Sequence, residues 1–343
     1  MNLTSLTVVV GSLFGTSPQN LAPFLTTPWT IVSAENATDA QIETAKAFVN
    51  APLPALADAI QGRLYQYSYT GYPESDLSSI PKQLAVCNCH QSTVPIAEYC
   101  MAAILEWNTK LRAQDAQMRK ACWSTAPPGN TCAASRSVMR QTENLTLGIL
   151  GFGHIGQAIA KRAAAFEMRI IATDVAAQDP PPSPLAWLGD DSQNPRLFAE
   201  SDFVVVALPL LNTTQGLVDA SLLAHLSATS VLINIARGPI VSEDALYDAL
   251  SAGSIGGAVL DVWWNAIFQI PPGTFGPSSW PSAYRFDELS NVIMTPHDSG
   301  ESDEAQIEAL REIAANLDNL ALGLPLDNVV RPAAALQAQG AQV

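Results

Sequence analysis

Short apolar runs alternate with amphipathic stretches along most of the chain. Between Val8 and about Cys87 the runs VVVGSL, WTIVSA, RLYQYSY and QLAVCN are separated by polar or helix-like segments such as DAQIETAKAFVN. Strand-length apolar runs interleaved with segments of 3.6-residue period are the pattern of βα units, so a first, smaller α/β unit is expected here. A helical pattern follows from about Pro95 to Cys122, apolar on one face early and charged late, and it reads as one long strut. Residues 124–142 are rich in Ser, Thr, Pro and Ala without periodicity, as befits an irregular approach to the next domain.

Beyond Leu145 the grammar changes. The strand LGILG leads into a glycine-rich turn, a helix through Arg162 to Phe166 and a second strand, MRIIATD, which together make a complete βαβ unit. Four further runs, FVVVAL, SVLINIA, AVLDVW and NVIMTP, are apolar throughout, the mark of strands buried on both faces of a doubly wound parallel sheet. Residues 265–289 break this rhythm with PP, PG, GP and WP pairs and scattered aromatics, and read as a long loop. After His297 the segment SDEAQIEALREIAANLDNLALG predicts a last helix, stopped at Gly323 with Pro325 just beyond, and the tail past Pro332 reads as frayed. The expected organisation is a smaller α/β domain of residues 1–112 and 305–343, interrupted by a doubly wound domain of residues 113–304.

With 343 residues and 48% hydrophobic content the chain can bury two cores. Its formal net charge of -15 argues against nucleic acid as a partner, because contacts to a phosphate backbone need clustered Lys and Arg. No apolar run approaches the roughly 20 residues that span a bilayer, so a membrane role is not expected. The start, MNLTSLTVVV, has no basic segment before its apolar run and reads as a strand, hence a cytoplasmic protein is expected. Five cysteines, Cys87, Cys89, Cys100, Cys122 and Cys132, are an odd number without C-x-x-C spacing, which predicts reduced structural thiols and no metal site.

The strongest chemical signal is Gly151-Phe152-Gly153-His154-Ile155-Gly156, which directly follows the strand LGIL and opens a helix. In that context the first glycine permits a tight turn, the second lets backbone approach a pyrophosphate, and the third allows helix and strand to pack closely. Asp174 closes the next strand, eighteen residues past the last of these glycines. A carboxylate there can accept from ribose hydroxyls and repels a 2′-phosphate, so the expected cofactor is NAD in a Rossmann domain.

The blocks LGILGFGHIGQAIAKRAAAFEMRIIATD, VVVALPLLNTTQGLV, LINIARGPIVSEDAL, GGAVLDVW and NVIMTPHDSG, in this order, resemble the D-isomer-specific 2-hydroxyacid dehydrogenases. The resemblance implies a Rossmann domain inserted in a smaller flavodoxin-like α/β substrate domain, and hydride transfer between NAD(H) and a small anionic 2-oxo or 2-hydroxy acid. It implies that Arg237 binds the substrate carboxylate, a task suited to a planar guanidinium, and that His297 exchanges the proton, as an imidazole titrating near neutrality can. Asp261 would bind the nicotinamide carboxamide, Pro209, Asn212 and Thr214 would pass under the cofactor, and Ile235 with Ala236 would offer backbone beside the ring. In the smaller domain Thr70, Gly71 and Tyr72 resemble the loop that meets the substrate carboxylate and, through Thr70, the cofactor; packing is the alternative for this block. Trp264 is a candidate substrate wall or a packing residue. The family's homodimer is implied as well.

One position departs from the pattern. The family's catalytic Glu, five residues past the LDV aspartate, is Ala266 here, and no carboxylate occurs between Asp261 and Asp287. Asn265 is the expected partner of His297, with Gln269, Asp298 and Glu301 as further candidates. The missing Glu also keeps open a non-catalytic, NAD-sensing binding protein like the corepressors of this fold, while formate or phosphite oxidation would use the same Arg and His. Which acid is the substrate is not readable from the sequence.

Overall fold

The structure, a computed structural model, describes residues 6–12, 15–53, 60–72, 74–120, 122, 139–265 and 280–334. The chain divides into two compact units, one of residues 1–95 and 300–343 and one of residues 96–299.

The smaller unit is built on β1 (Thr7–Val10), β2 (Thr30–Ser33), β3 (Ala47–Val49), β4 (Leu64–Gln66) and β5 (Ala85–Cys87), parallel in the order β2-β1-β3-β4-β5. This is the flavodoxin-like order. A strand from the far end of the chain, β13 (Val329–Arg331), adds antiparallel to β5. Short helices α1 (Pro18–Leu21), α2 (Asp39–Thr44) and α3 (Glu74–Ser79) lie in the connections. Successive residues of the strands feed opposite cores: Val8, Val10, Ala47 and Val49 face one, Val9 and Phe48 the other. The helix-like stretch DAQIETAKAFVN is only half helical. A capping box between Thr38 and Gln41 starts α2, which ends at Thr44, because the fully buried Ala47–Val49 is worth more as the central strand paired with β1 and β4. The returning helix, numbered last as α10 (Asp303–Leu322), is capped by Ser302 and ends before Gly323 as expected. It is fastened by Asp318, whose carboxylate accepts from the amides and hydroxyls of Thr26 and Thr27 at 2.5–3.0 Å.

The larger unit holds a parallel seven-stranded sheet of β6 (Thr146–Leu150), β7 (Arg169–Thr173), β8 (Trp187–Gly189), β9 (Phe203–Val206), β10 (Val231–Asn234), β11 (Gly257–Leu260) and β12 (Val292–Met294). The order β12-β11-β10-β9-β6-β7-β8 reverses direction between β6 and β9, which defines the doubly wound Rossmann topology and opens a crevice beyond the carboxyl ends of those two strands. Both faces are buried, Leu147, Ile149, Phe203 and Val205 on one side and Leu150, Val204 and Val206 on the other. Helices α4 (Thr93–Thr109), α5 (Leu111–Met118), α6 (His154–Ala164), α7 (Asn194–Glu200), α8 (Ala220–Leu223) and α9 (Glu243–Ser251) complete it.

The single strut expected from Pro95 to Cys122 is two helices, broken at Lys110, which adopts a left-handed φ of 55°. Its apolar early face, Ile96, Cys100, Met101 and Ile104, packs into the core of the Rossmann sheet, so the compact units part near residue 95 where the sequence placed the boundary near 112. Cys87, Cys89 and Cys100 are buried free thiols, whereas Cys122 is disulfide-bonded, a correction to the expectation of reduced cysteines throughout. An odd number of cysteines and missing C-x-x-C spacing do not forbid one pair. Cys132, the residues 266–279 of the long loop, most of the Ser/Thr/Pro/Ala stretch and the tail from 335 lie outside the described residues. No described helix is long and apolar enough to cross a membrane, and no metal-binding cluster occurs among the described residues.

Candidate active site

At the crevice the turn after β6 tests the glycine pattern one position at a time. Gly151 has a φ of 100°, and a Cβ there would stand 2.7 Å from the Ala207 carbonyl oxygen at the end of β9. Gly156 lies against the backbone of Gly151, its added Cβ 2.3 Å from that carbonyl oxygen. At Gly153 a Cβ would meet nothing within 4 Å. The first and third glycines thus serve the fold, and the second leaves open room at the N-terminus of α6, the arrangement that admits a pyrophosphate. His154 and Ile155 form the first turn of that helix.

Asp174, just past β7, accepts from the Phe152 amide at 2.7 Å and the Ala176 amide at 3.1 Å. An ionised carboxylate offers about four lone pairs, so two remain for hydroxyl donors. A cavity of about 720 Å³ extends beside Asp174 between α6 and residues 176–184. On the other wall of the crevice Pro209, Asn212 and Thr214 share one tight loop. The Thr214 hydroxyl donates to the Pro209 carbonyl at 2.6 Å and accepts from the Leu211 amide at 2.8 Å, which fixes its shape.

Arg237 stands two residues past Ile235, after β10. Asn234, fully buried at the strand's end, accepts from the Ala236 amide and donates to the Arg237 carbonyl, both at 3.1 Å, so one side chain sets the turn. The turn presses on the next strand's exit: a Cβ on Gly238 would be 2.3 Å from the Trp263 backbone. Asp261, fully buried after β11, accepts from the Thr295 hydroxyl at 2.6 Å and from the amides of Asp298 and Ser299 at 3.0 and 3.1 Å. Those donors bracket His297, itself held at a left-handed φ of 68°. Burial, then the charge of Arg237, push the His297 imidazole below its usual value, while Asp261 and Asp298 pull it part of the way back. The structure therefore brings Arg237, Asp261 and His297 together at the carboxyl ends of neighbouring strands.

Other expected residues are placed elsewhere. Asn265 donates its side-chain amide to the Trp280 carbonyl at 3.3 Å, and its backbone amide to that of Pro281, so it joins the two ends of the long loop and does not reach His297. Trp264 stacks on Phe286 with 5.4 Å between centroids and donates to the Val241 carbonyl at 2.7 Å, contacts that support the packing alternative. Asp298 acts on His297 through its charge, and Ala266 and Gln269 lie outside the described residues. In the smaller unit Thr70, Gly71 and Tyr72 form a loop held by Asn88, which donates to the Thr70 carbonyl at 2.7 Å, and by Tyr72 stacking on Tyr67. The Thr70 hydroxyl is buried with no hydrogen-bond partner. Sequence reading missed Asn234 and Thr295; their signal was a lone amide closing the apolar run VLIN and a hydroxyl beside the TPH histidine.

Residues 101–299, more than half of the chain, match the model of the D-isomer specific 2-hydroxyacid dehydrogenase NAD binding domain. The chain belongs to that family. It is 28% identical to the D-3-phosphoglycerate dehydrogenase of Synechocystis sp. over 239 residues, 70% of this chain but 39% of that protein, so the match spans well under half of that longer relative. With the hydroxypyruvate reductase of Thermotoga maritima it shares 30% identity over 66% of each chain. The solved 2-hydroxyacid dehydrogenase of Ketogulonicigenium vulgare Y25 has the same fold, with a TM-score of 0.74 over 96% of this chain and 99% of that one, at 24% identity.

Proposed function

We propose that this chain transfers hydride between NAD(H) and a small 2-oxo acid or its D-2-hydroxy counterpart, with Arg237 binding the carboxylate and His297 exchanging the proton. The observation that carries the reading is the convergence of Arg237 and His297, close enough for the arginine's charge to depress the imidazole, within the family's NAD-binding domain. Bound at the glycine turn and Asp174, the nicotinamide cofactor supplies or takes up the hydride. Arg237, its backbone set by Asn234, offers the fork of donors that fixes a carboxylate and orients the neighbouring carbonyl. His297 gives a proton to that carbonyl oxygen in reduction and removes one from the hydroxyl in oxidation. Thr70, Gly71 and Tyr72 are assigned to the substrate side on the family resemblance, supported by the orphaned Thr70 hydroxyl. The name of the Thermotoga relative makes hydroxypyruvate the first substrate to try. The domain roles, the smaller unit for substrate and the larger for cofactor, and a homodimer belong to the same proposal.

NADH oxidation should be followed with glyoxylate, hydroxypyruvate, pyruvate and phenylpyruvate, for the native chain and for His297→Ala and Arg237→Ala. We expect turnover of at least one acid, a loss of about 100-fold or more in kcat for His297→Ala, and a raised KM for the acid in Arg237→Ala. Tight NADH binding without turnover of any acid, formate or phosphite would replace this reading with the NAD-sensing one that Ala266 keeps open.

A further inference from the structure

Asp261 is committed to more than one neighbour, and the chain of contacts behind it runs away from the crevice. The Thr295 hydroxyl carries a single proton, which it donates to the Asp261 carboxylate at 2.6 Å. The Tyr99 hydroxyl lies 2.7 Å from the same Thr295 oxygen, so Tyr99 is the donor of that bond. Tyr99 belongs to α4, and its phenol is pushed up to about 12, burial being the main cause, so it keeps its proton throughout the working range. A directed relay results, Tyr99 to Thr295 to Asp261, and the carboxylate at its end receives the two amides that follow His297. Trp263 adds a second tie, donating from its indole to the Thr295 carbonyl at 3.0 Å.

The relay holds a backbone that would otherwise relax. The last ladder bond of β12 runs from the Thr295 amide to the Leu260 carbonyl at 2.9 Å, and past it the chain must turn through the left-handed His297. A non-glycine residue in that region is disfavoured and persists where its surroundings over-determine it. Here the determinants are the hydrogen bonds that Asp261 collects on both sides of the histidine. Resting on the acid–base reading of His297 given above, we propose that Tyr99 is a positioning residue for His297, acting through the Thr295 hydroxyl and the Asp261 carboxylate.

Tyr99→Phe and Thr295→Val each remove one hydroxyl at nearly constant volume, and Thr295→Ser keeps it. The chain has four histidines, His90, His154, His225 and His297, so the ring resonances of His297 are assigned by their loss in His297→Ala. We expect those resonances to move in Tyr99→Phe and Thr295→Val and to stay in Thr295→Ser, with His154 and His225 unmoved as internal references. Reductive kcat should fall about three- to tenfold in the first two variants, and the double variant should be no slower than Thr295→Val alone, as for residues acting in one network. The pH limb should shift in the same two variants, since Arg237, Asp261 and Asp298 all act on the imidazole whose placement changes. A role confined to packing would lower Tm and leave His297 in place. Unmoved His297 resonances in Tyr99→Phe, or losses in the double variant that multiply, overturn the proposal. If the resonances behave as expected while His297→Ala turns over like the native chain, the positioning relay stands and the acid–base reading falls.

Discussion

Reduction of a 2-oxo acid consumes a proton at the carbonyl oxygen, and under the proposed function that proton comes from His297. Its imidazole is held below the usual value of 6.5 by burial first and then by the charge of Arg237, with Asp261 and Asp298 opposing incompletely. A lowered value leaves the neutral form dominant at neutral pH, so reduction loses its proton donor as pH rises while oxidation keeps its base. The protonated form is therefore the minor one in the free enzyme above neutrality, and each further pH unit lowers it about tenfold. The assay is kcat/KM for the 2-oxo acid at saturating NADH from pH 5 to 8.5, which reports the ionisation of the enzyme before the acid binds. Asp298→Asn removes one of the two charges that pull the imidazole upward, so its limb should lie at still lower pH and its reduction at pH 7 should fall by roughly two- to tenfold. A flat profile between pH 6 and 8, or an Asp298→Asn limb at higher pH than that of the native chain, would refute the electrostatic account of this site.

Two glycines of the turn should separate by readout: Gly156→Ala, with its Cβ 2.3 Å from the Gly151 carbonyl oxygen, should lower Tm, whereas Gly153→Ala, meeting nothing within 4 Å, should fold normally and bind NADH about tenfold more weakly by titration. Asp174→Ala should reduce kcat/KM for NADH by about tenfold and narrow the preference over NADPH; equal use of both cofactors by the native chain would remove the role given to that carboxylate. At Asp318 burial opposes ionisation, but the hydrogen bonds from Thr26 and Thr27 outweigh it and hold the carboxyl below its usual value, so it stabilises the folded chain above that value and ceases to as pH falls through the lowered one. Asp318→Asn should therefore cost about 2–3 kcal/mol at pH 7 in denaturant unfolding, and a smaller difference from the native chain at pH 3 checks the sign.

What the residue pattern made legible is what depends on local rules. The βαβ grammar around Gly151 and Asp174 could be read because each glycine answers a short-range backbone requirement that the neighbouring strand and helix announce. Strand β3 was hidden because a three-residue central strand that follows a helix without a turn signal carries no period of its own, and its identity comes from partners on both sides. The same limit applied to β13, whose pairing with β5 joins residues some 240 positions apart. Around His297 the difficulty was of another kind. Trp264 is a candidate as a large aromatic and Asn265 as the amide beside the position of the missing Glu, yet one contacts Phe286 and Val241 and the other Trp280 and Pro281, contacts that residue type and position along the chain do not reveal.

Asp261 shows how far a residue's role can be displaced by its company. The family resemblance assigns its carboxylate to the nicotinamide carboxamide, and it stands at a strand's end where such a contact is made. Yet three of its roughly four acceptor positions are already used by Thr295, Asp298 and Ser299. One acceptor position then remains for any ligand, and under the proposed relay the other three hold the turn of His297. Replacing it by Asn would keep a single carbonyl acceptor and turn an amide donor toward either the Asp298 or the Ser299 amide, which sets donor against donor just past the histidine. Asp261→Asn should consequently impair proton exchange at least as severely as cofactor binding: reductive kcat down by 100-fold or so with NADH affinity weakened about tenfold or less. The reverse pattern, cofactor affinity lost and kcat at saturating NADH preserved, would show that the aspartate serves the carboxamide and that the histidine turn stands without it.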